Sequence, residues 1–189
     1  PNFVEDMPPS KTAPDKTPYF LYVGRMDRAK GILTLLEEWK KAWYKDNGKR
    51  LLLLGAGPLE EEVREIAGAL PQIEYLGSRP HEETLRYIRF AEAVLMPSEW
   101  YECFPMVLAE CAMCATPVIC RNIGNTAALV REISEALLYD TGEELKAILT
   151  DYRKADYAAL FRNFYEARLT PEKNYRIYGE ILGRLRDTP

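Results

Sequence analysis

The chain has 189 residues, of which 47% are hydrophobic and 29% charged, and its formal net charge is −4. This length fits one domain with a full hydrophobic core rather than two. The charge balance, without a Lys/Arg-rich run, argues against nucleic-acid binding. The longest apolar runs are only about strand length, and the first residues lack signal-peptide features, so no membrane span is predicted.

The first 18 residues contain five prolines and no apolar periodicity, which predicts an extended arm (1–18) before a domain at 19–189. Six runs typical of β-strands follow: Tyr19–Val23, Arg50–Leu54, Ile73–Leu76, Ala93–Met96, Pro117–Cys120 and Ala136–Tyr139. Several are apolar without alternation, as strands buried on both faces are.

Helical patterns separate these strands. Two apolar faces at helical spacing are formed by Ile32, Leu35, Leu36, Trp39 and Trp43, and by Leu59, Val63, Ile66 and Leu70. Thr141 and Glu144 form a capping-box pattern for a helix to about Lys154. Thr170 and Pro171 begin a last helix, with Tyr175, Tyr178, Ile181 and Leu182 on one side. The alternation predicts the α/β class, a Rossmann-like doubly wound parallel sheet of about six strands with C-terminal helices.

All four cysteines lie between Cys103 and Cys120, and Cys111 and Cys114 have the spacing of a zinc or redox pair. Their apolar surroundings favour free thiols that pack as small hydrophobes, with metal or redox chemistry as the alternative. Free thiols predict a reducing compartment, the cytoplasm.

Ligands of a doubly wound sheet bind beyond the carboxyl ends of its strands. After the first strand, Gly24 and Gly31 frame Arg25 and Lys30, a loop that can approach and neutralise a diphosphate, although solvated surface cations are the alternative. After the second strand, the run 55–58 (Gly-Ala-Gly-Pro) lacks the third glycine of a dinucleotide fingerprint, so NAD chemistry is not supported.

The loop after the fourth strand leads into a predicted helix with Pro105 at its first position, which leaves the amides of Met106 and Val107 free for an anion. Glu110 is a lone carboxylate in an apolar run, and burying it is costly without a partner. A ribose or sugar diol is one such partner, and an ion pair with Arg25 or Arg121 is the other. His81 is interpreted as a helix-entry residue rather than a catalytic base.

These motifs resemble the C-terminal, donor-binding domain of GT-B-fold retaining glycosyltransferases of family 4 (group 1), from about Tyr19 to Tyr139. The matching motifs are Gly24-Arg25 with Lys30-Gly31, Gly55-Ala56-Gly57-Pro58, Leu76-Gly77-Ser78-Arg79, Glu102 with Phe104 and Glu110, and Thr116-Pro117-Val118-Ile119. Four positions depart from the family pattern: Pro105, Ala115, Asn125 and Ala128.

The resemblance implies a role for each site residue. Glu102 would contact the transferred sugar, while Arg25 and Lys30 would hold the diphosphate as the other catalytic groups. Glu110 would bind the ribose hydroxyls. The remaining donor-binding positions would be Gly24, Gly55, Gly57, Ser78, Arg79, Phe104, Met106 and Val107.

The resemblance also implies metal-independent transfer of a sugar from a UDP-, GDP- or ADP-sugar to an acceptor hydroxyl, without a cofactor. The acceptor would bind an N-terminal domain that this chain lacks, and membrane contact would occur only through that domain. The chain alone would then bind donor but transfer little. Two alternatives stay open: a GT-B sugar-nucleotide epimerase and a non-catalytic nucleotide-sugar-binding module.

Overall fold

The computed structural model describes residues 3–8, 12–15, 17–41 and 48–186. Within them, six parallel strands form one sheet in the order β3-β2-β1-β4-β5-β6. The strands are β1 Tyr19–Val23, β2 Arg50–Leu54, β3 Ile73–Gly77, β4 Val94–Met96, β5 Val118–Arg121 and β6 Leu138–Tyr139. The doubly wound α/β prediction is therefore confirmed, and the strand order reverses between β1 and β4, where such sheets open a ligand crevice.

Helices connect and cover the strands. They are α1 Ile32–Lys40, α2 Glu60–Gly68, α3 His81–Phe90, α4 Met106–Met113, α5 Gly124–Ile133, α6 Gly142–Asp151, α7 Ala158–Arg168 and α8 Pro171–Arg186. Short 3-10 helices occupy Arg28–Lys30, Glu135–Leu137 and Lys154–Asp156. Among the described residues, no helix is long and apolar enough to cross a membrane.

The core lies on both faces of the sheet. Strand β2 is buried from Leu51 to Leu54, as its uninterrupted apolar run predicts. Helix α1 buries the predicted face of Ile32, Leu35, Leu36 and Trp39. Trp43, predicted to extend that face, lies outside the described residues.

The predicted start of one strand and the predicted end of one helix are wrong. The predicted strand 136–139 begins as a 3-10 turn, and only Leu138 and Tyr139 pair with β5 at the sheet edge. Helix α6 has the predicted capping box but ends at Asp151. Tyr152 leaves the helix with ψ 130°, because its buried ring stacks on Tyr157 at 5.7 Å and its hydroxyl donates to the Glu92 carbonyl at 3.0 Å.

Helix α8 begins at Pro171, as predicted. Its tyrosines Tyr175 and Tyr178 are 63% and 43% exposed, whereas Asn174 is fully buried and donates to the carbonyls of Arg168 and Thr170. The predicted apolar side of this helix therefore faces outward at both tyrosines. The side chains of Ile181 and Leu182 are outside the described part.

Candidate functional site

Two neighbouring cavities lie at the carboxyl edge of the sheet, on either side of the loop that follows β1. The first has a volume of about 290 Å³ and lies between that loop, the loop after β4 and the start of α4. The second has a volume of about 230 Å³ and lies at the carboxyl ends of β1, β2 and β3. Both are lined by Val23, Gly24 and Arg25, so together they form a crevice with the β1 loop at its centre.

The sequence-predicted residues divide between these cavities. The first cavity is lined by Gly24, Arg25, Lys30, Glu102, Met106 and Val107, and the second by Gly24, Arg25, Gly55, Ser78 and Arg79. Gly57, Phe104 and Glu110 line neither. The structure thus brings nine of the twelve predicted positions to one crevice, counted from these linings.

Local backbone chemistry shapes the β1 loop. The Asp27 carboxylate accepts the Ala29 amide at 3.0 Å and begins the 3-10 helix, which Gly31 ends in the left-handed region at φ 68°. A Cβ on Gly31 would lie 2.0 Å from the Pro97 carbonyl oxygen. Only glycine therefore lets this loop approach the β4 loop, and that approach places Lys30 beside Glu102.

The glycines after β2 also allow close backbone contact. Gly55 has φ 135°, and a Cβ there would lie 1.9 Å from the Gly24 carbonyl oxygen. A Cβ on Gly57 would lie 2.5 Å from the Met26 carbonyl oxygen. Gly57 thus packs the two loops together, which explains a glycine at a position that does not line the crevice.

A polar cluster surrounds Glu102 in the first cavity. Lys30 Nζ lies 2.9 Å from Glu102 Oε2, and Ser98 Oγ donates to Oε1 at 2.5 Å. The Glu102 and Lys30 side chains are 15% and 37% exposed. Both carboxylate oxygens are therefore engaged by donors. A ligand hydroxyl would have to share these oxygens, and a ligand phosphate would have to compete with them for Lys30.

Arg25 stands at the junction of the two cavities. Its guanidinium is 66% exposed and 3.7 Å from the Asp27 carboxylate. The Tyr22 hydroxyl donates to the Arg25 carbonyl at 2.8 Å, and burial raises the pKa of this phenol, which keeps it a neutral donor. The arrangement leaves a weakly paired cation facing the crevice.

Helix α4 points its N-terminus at the first cavity. Pro105 precedes the helix instead of being its first residue, and its carbonyl accepts the Leu108 amide at 3.0 Å. The amides of Met106 and Val107, one residue earlier in the helix than predicted, have no acceptor within a helix turn. They are free to bind an anion.

Glu110 has a partner that the sequence did not predict. The carboxylate is 12% exposed, and its Oε1 lies 2.9 Å from His81 Nε2 at the start of α3. Arg121, one of the two predicted ion-pair partners, instead lies 3.4 Å from Glu99. His81 does begin its helix as predicted, but it also supplies the polar contact that a buried carboxylate requires.

The loop after β5 is tied to the β4 loop. The Asn125 side chain donates to the Cys103 carbonyl at 2.9 Å, and Gly124, at φ 63°, packs on Tyr101. Asn125 departs from the family pattern, and this hydrogen bond gives it a structural role. Phe104 is half-buried and packs on the core, while Trp100 and Tyr101 in the same loop are 69% and 72% exposed.

Of the lining residues that the sequence did not predict, three carry hydroxyl groups: Tyr22, Ser98 and Thr84. Ser98 directly follows Pro97 after β4, so its place in a strand-end loop was the available signal. Thr84 gave no signal in the sequence, because a threonine in the first turn of a helix is common. Its hydroxyl donates to the Pro80 carbonyl at 3.1 Å.

The cysteines are free, and three are buried. Burial raises the pKa of Cys114 to about 11 and of Cys120 to about 12, so these thiols are protonated and inert at neutral pH. Cys103 is exposed, unlike the buried thiol that was predicted there. Among the described residues, no group of three or more His, Cys, Asp or Glu side chains is placed to hold a metal ion.

The protein is a Rossmann-like α/β protein with a crevice at the switch point of its sheet, the place where ligands of such sheets bind. The family model "Glycosyl transferases group 1" matches residues 3–158. The chain therefore belongs to the group 1 glycosyltransferases, and its architecture is that of a Rossmann-like domain of the GT-B type.

Individual proteins that resemble this chain agree with this family assignment. Glycogen synthase of Mycobacterium tuberculosis is 29% identical over 113 residues, which are 58% of this chain and 27% of that protein. The structure of sucrose-phosphate synthase from Thermosynechococcus elongatus is 28% identical with a TM-score of 0.70, covering 92% of this chain and 47% of that one. Anabaena HepE in complex with UDP is 18% identical with a TM-score of 0.74, covering 88% and 48%, and shows the fold alone. The chain thus spans about half or less of the length of these proteins.

Proposed function

We propose that the crevice binds a nucleoside diphosphate sugar, and that the chain is the donor-binding, C-terminal domain of a family 4 glycosyltransferase. The observation that carries this proposal is the placement of Arg25, Lys30 and the N-terminus of α4 around the first cavity, beside the β1 loop. Two cations and free helix amides are the groups that bind a diphosphate. HepE, a structural neighbour, was solved with UDP, which supports the same ligand class.

The two cavities suit the two ends of such a donor. The sugar would occupy the first cavity, where Glu102 can accept its hydroxyls. The nucleoside would occupy the second, beside Ser78 and Arg79. The diphosphate would then lie at the shared wall formed by Gly24 and Arg25. In this pose Lys30 exchanges Glu102 for a phosphate oxygen.

The reaction is retaining transfer to an acceptor hydroxyl, without a metal ion. As the sugar–phosphate bond breaks, negative charge develops on the leaving diphosphate. Arg25, Lys30 and the α4 amides stabilise that charge where a metal would otherwise do so. The acceptor would bind a second domain outside this chain, and the free thiols suit a cytoplasmic enzyme.

A sugar-nucleotide epimerase, the alternative enzyme class, needs acid–base groups at the anomeric carbon. His81 is directed to Glu110, outside the first cavity, so it does not supply one. A non-catalytic module has no observation in its favour.

Calorimetric titration of the chain with UDP, GDP and ADP tests the proposal. We expect one of them to bind, and Lys30→Ala to weaken it about tenfold through loss of a charge-assisted contact. Lys40→Ala, an exposed lysine of α1, is the matched control and should leave binding unchanged. Absence of binding by all three at millimolar concentration would overturn the proposal.

A further inference from the structure

His81 contacts Glu110, and the roles proposed for binding the nucleotide sugar do not explain this contact. Its Nε2 lies 2.9 Å from Glu110 Oε1. An ionised carboxylate only accepts hydrogen bonds, so the ring nitrogen donates. The His81 side chain is 62% exposed, whereas that of Glu110 is 12% exposed. The histidine therefore reaches from the surface to hold a largely buried carboxylate.

The pair joins two helices that each contribute a residue to one of the two cavities. Thr84, three residues after His81 in α3, lines the second cavity, and Val107, three residues before Glu110 in α4, lines the first. Side chains three residues apart in a helix share a face. The His81–Glu110 contact thus connects the helix faces that border the second cavity, proposed for the nucleoside, and the first cavity, proposed for the sugar.

Glu110 keeps binding capacity. Within the described part of the chain its Oε1 is held by His81, and its Oε2 has no hydrogen-bond partner. A carboxylate can accept about four hydrogen bonds, so a hydroxyl pair can be added without displacing the ring. A carboxylate fixed at one oxygen also loses less side-chain freedom when the second oxygen binds.

We propose that His81 is a positioning residue for the nucleoside, which holds Glu110 so that Oε2 accepts hydrogen bonds from the ribose diol. The site then selects nucleotides that carry this diol. The inference rests on the proposed donor function and deepens it. A histidine that only satisfied a buried carboxylate would affect folding. It would not change the preference for a nucleotide with a ribose diol over one without it.

The test compares the tightest-binding of UDP, GDP and ADP with its 2′,3′-dideoxy analogue, by calorimetric titration of the chain. His81→Phe removes the donor and keeps a ring, and His81→Gln keeps an N–H donor. We expect His81→Phe to weaken the ribonucleotide about tenfold and the dideoxy analogue less than about twofold. His81→Gln should restore most of the ribonucleotide affinity.

Glu82→Gln, in the same exposed helix turn, is the control and should leave both affinities unchanged. Equal weakening of both nucleotides by His81→Phe, no weakening of either, or failure of His81→Gln to restore binding would overturn the role of His81 while leaving the donor site standing. If the unsubstituted chain binds none of the three nucleotides, the proposed function fails and this inference fails with it.

Discussion

Glu102 and Glu110 differ in how their carboxylates are held. Glu102 is engaged by a cation, Lys30, and by the Ser98 hydroxyl, inside the first cavity. Glu110 is engaged by one histidine and lines neither cavity. The proposed roles follow this difference: Glu102 would meet a ligand that lies along the cation, and Glu110 a ligand with hydroxyl donors.

This difference predicts separable effects. Glu110→Gln should weaken a bare nucleoside diphosphate about tenfold, since a charged acceptor is lost. Glu102→Gln should leave the bare nucleotide bound at least as tightly, because Lys30 is released from its ion pair, and should weaken only the sugar-bearing donor. Calorimetric titration of both variants with both ligands measures this, with the exposed Glu143→Gln as control. Equal loss of bare-nucleotide affinity in both variants would contradict the assigned roles.

Helix α4 borders the first cavity at its N-terminus and is followed by a residue in an unusual conformation. The Thr116 amide donates to the Cys111 carbonyl at 2.9 Å and the Ala115 amide to the Ala112 carbonyl at 3.1 Å, the two bonds of a Schellman motif. Ala115 supplies the left-handed residue at φ 55°, where the family pattern has glycine. An alanine there is strained by its Cβ.

Ala115→Gly should therefore raise the free energy of unfolding by about 0.5 to 1 kcal/mol, because relief of that strain exceeds the added unfolded-state entropy. Urea denaturation measures the change. Ala69→Gly, at the right-handed end of α2 with φ −84°, is the matched control and should destabilise the chain. A lower free energy of unfolding in Ala115→Gly would contradict the claim that Ala115 is strained.

The sequence predicted best those elements whose bounds are set by neighbouring residues in the chain. The bounds of β1 and β2 were predicted to the residue, since Pro18 or a Lys-Arg pair stands before each apolar run and a glycine follows it. β6 was not, because an edge strand that pairs through two residues leaves little pattern. The loops of the crevice were found from the strand-end rule alone. The His81–Glu110 contact was not, because it depends on how α3 and α4 pack, which periodicity does not specify.

At the scale of the whole molecule, the N-terminal arm is fastened to the helix that supports α4. Arg162 of α7 donates to both Asp6 carboxylate oxygens, at 3.1 and 2.6 Å, and to the Met113 carbonyl at the end of α4 at 2.9 Å. Val4 adds a backbone bond to Leu169 at 3.2 Å and accepts the Tyr165 hydroxyl at 2.9 Å. The arm, α7 and α4 are thus joined through one guanidinium.

The Arg162 guanidinium lowers the pKa of Asp6 below its ordinary value of 3.8. A lowered folded-state pKa adds stability above the unfolded value, and this is lost as the pH falls through the folded value. Asp6→Asn should therefore cost up to about 1 kcal/mol at pH 7, since the pair is half-exposed, and progressively less below about pH 4. Urea denaturation at pH 7, 5, 4 and 3 measures this. Asp156→Asn, from an exposed surface pair, is the control, and a difference for Asp6→Asn that stays constant with pH would contradict the ion pair.

The central claim is that one crevice holds a nucleoside diphosphate across the β1 loop. A crystal structure of the chain with the tightest-binding nucleoside diphosphate tests it most directly. We expect the diphosphate against Arg25, Lys30 and the first amides of α4, with the nucleoside beside Ser78 and Arg79. A nucleotide bound elsewhere on the chain, or bound in the crevice with its phosphates away from Arg25 and Lys30, would contradict the account.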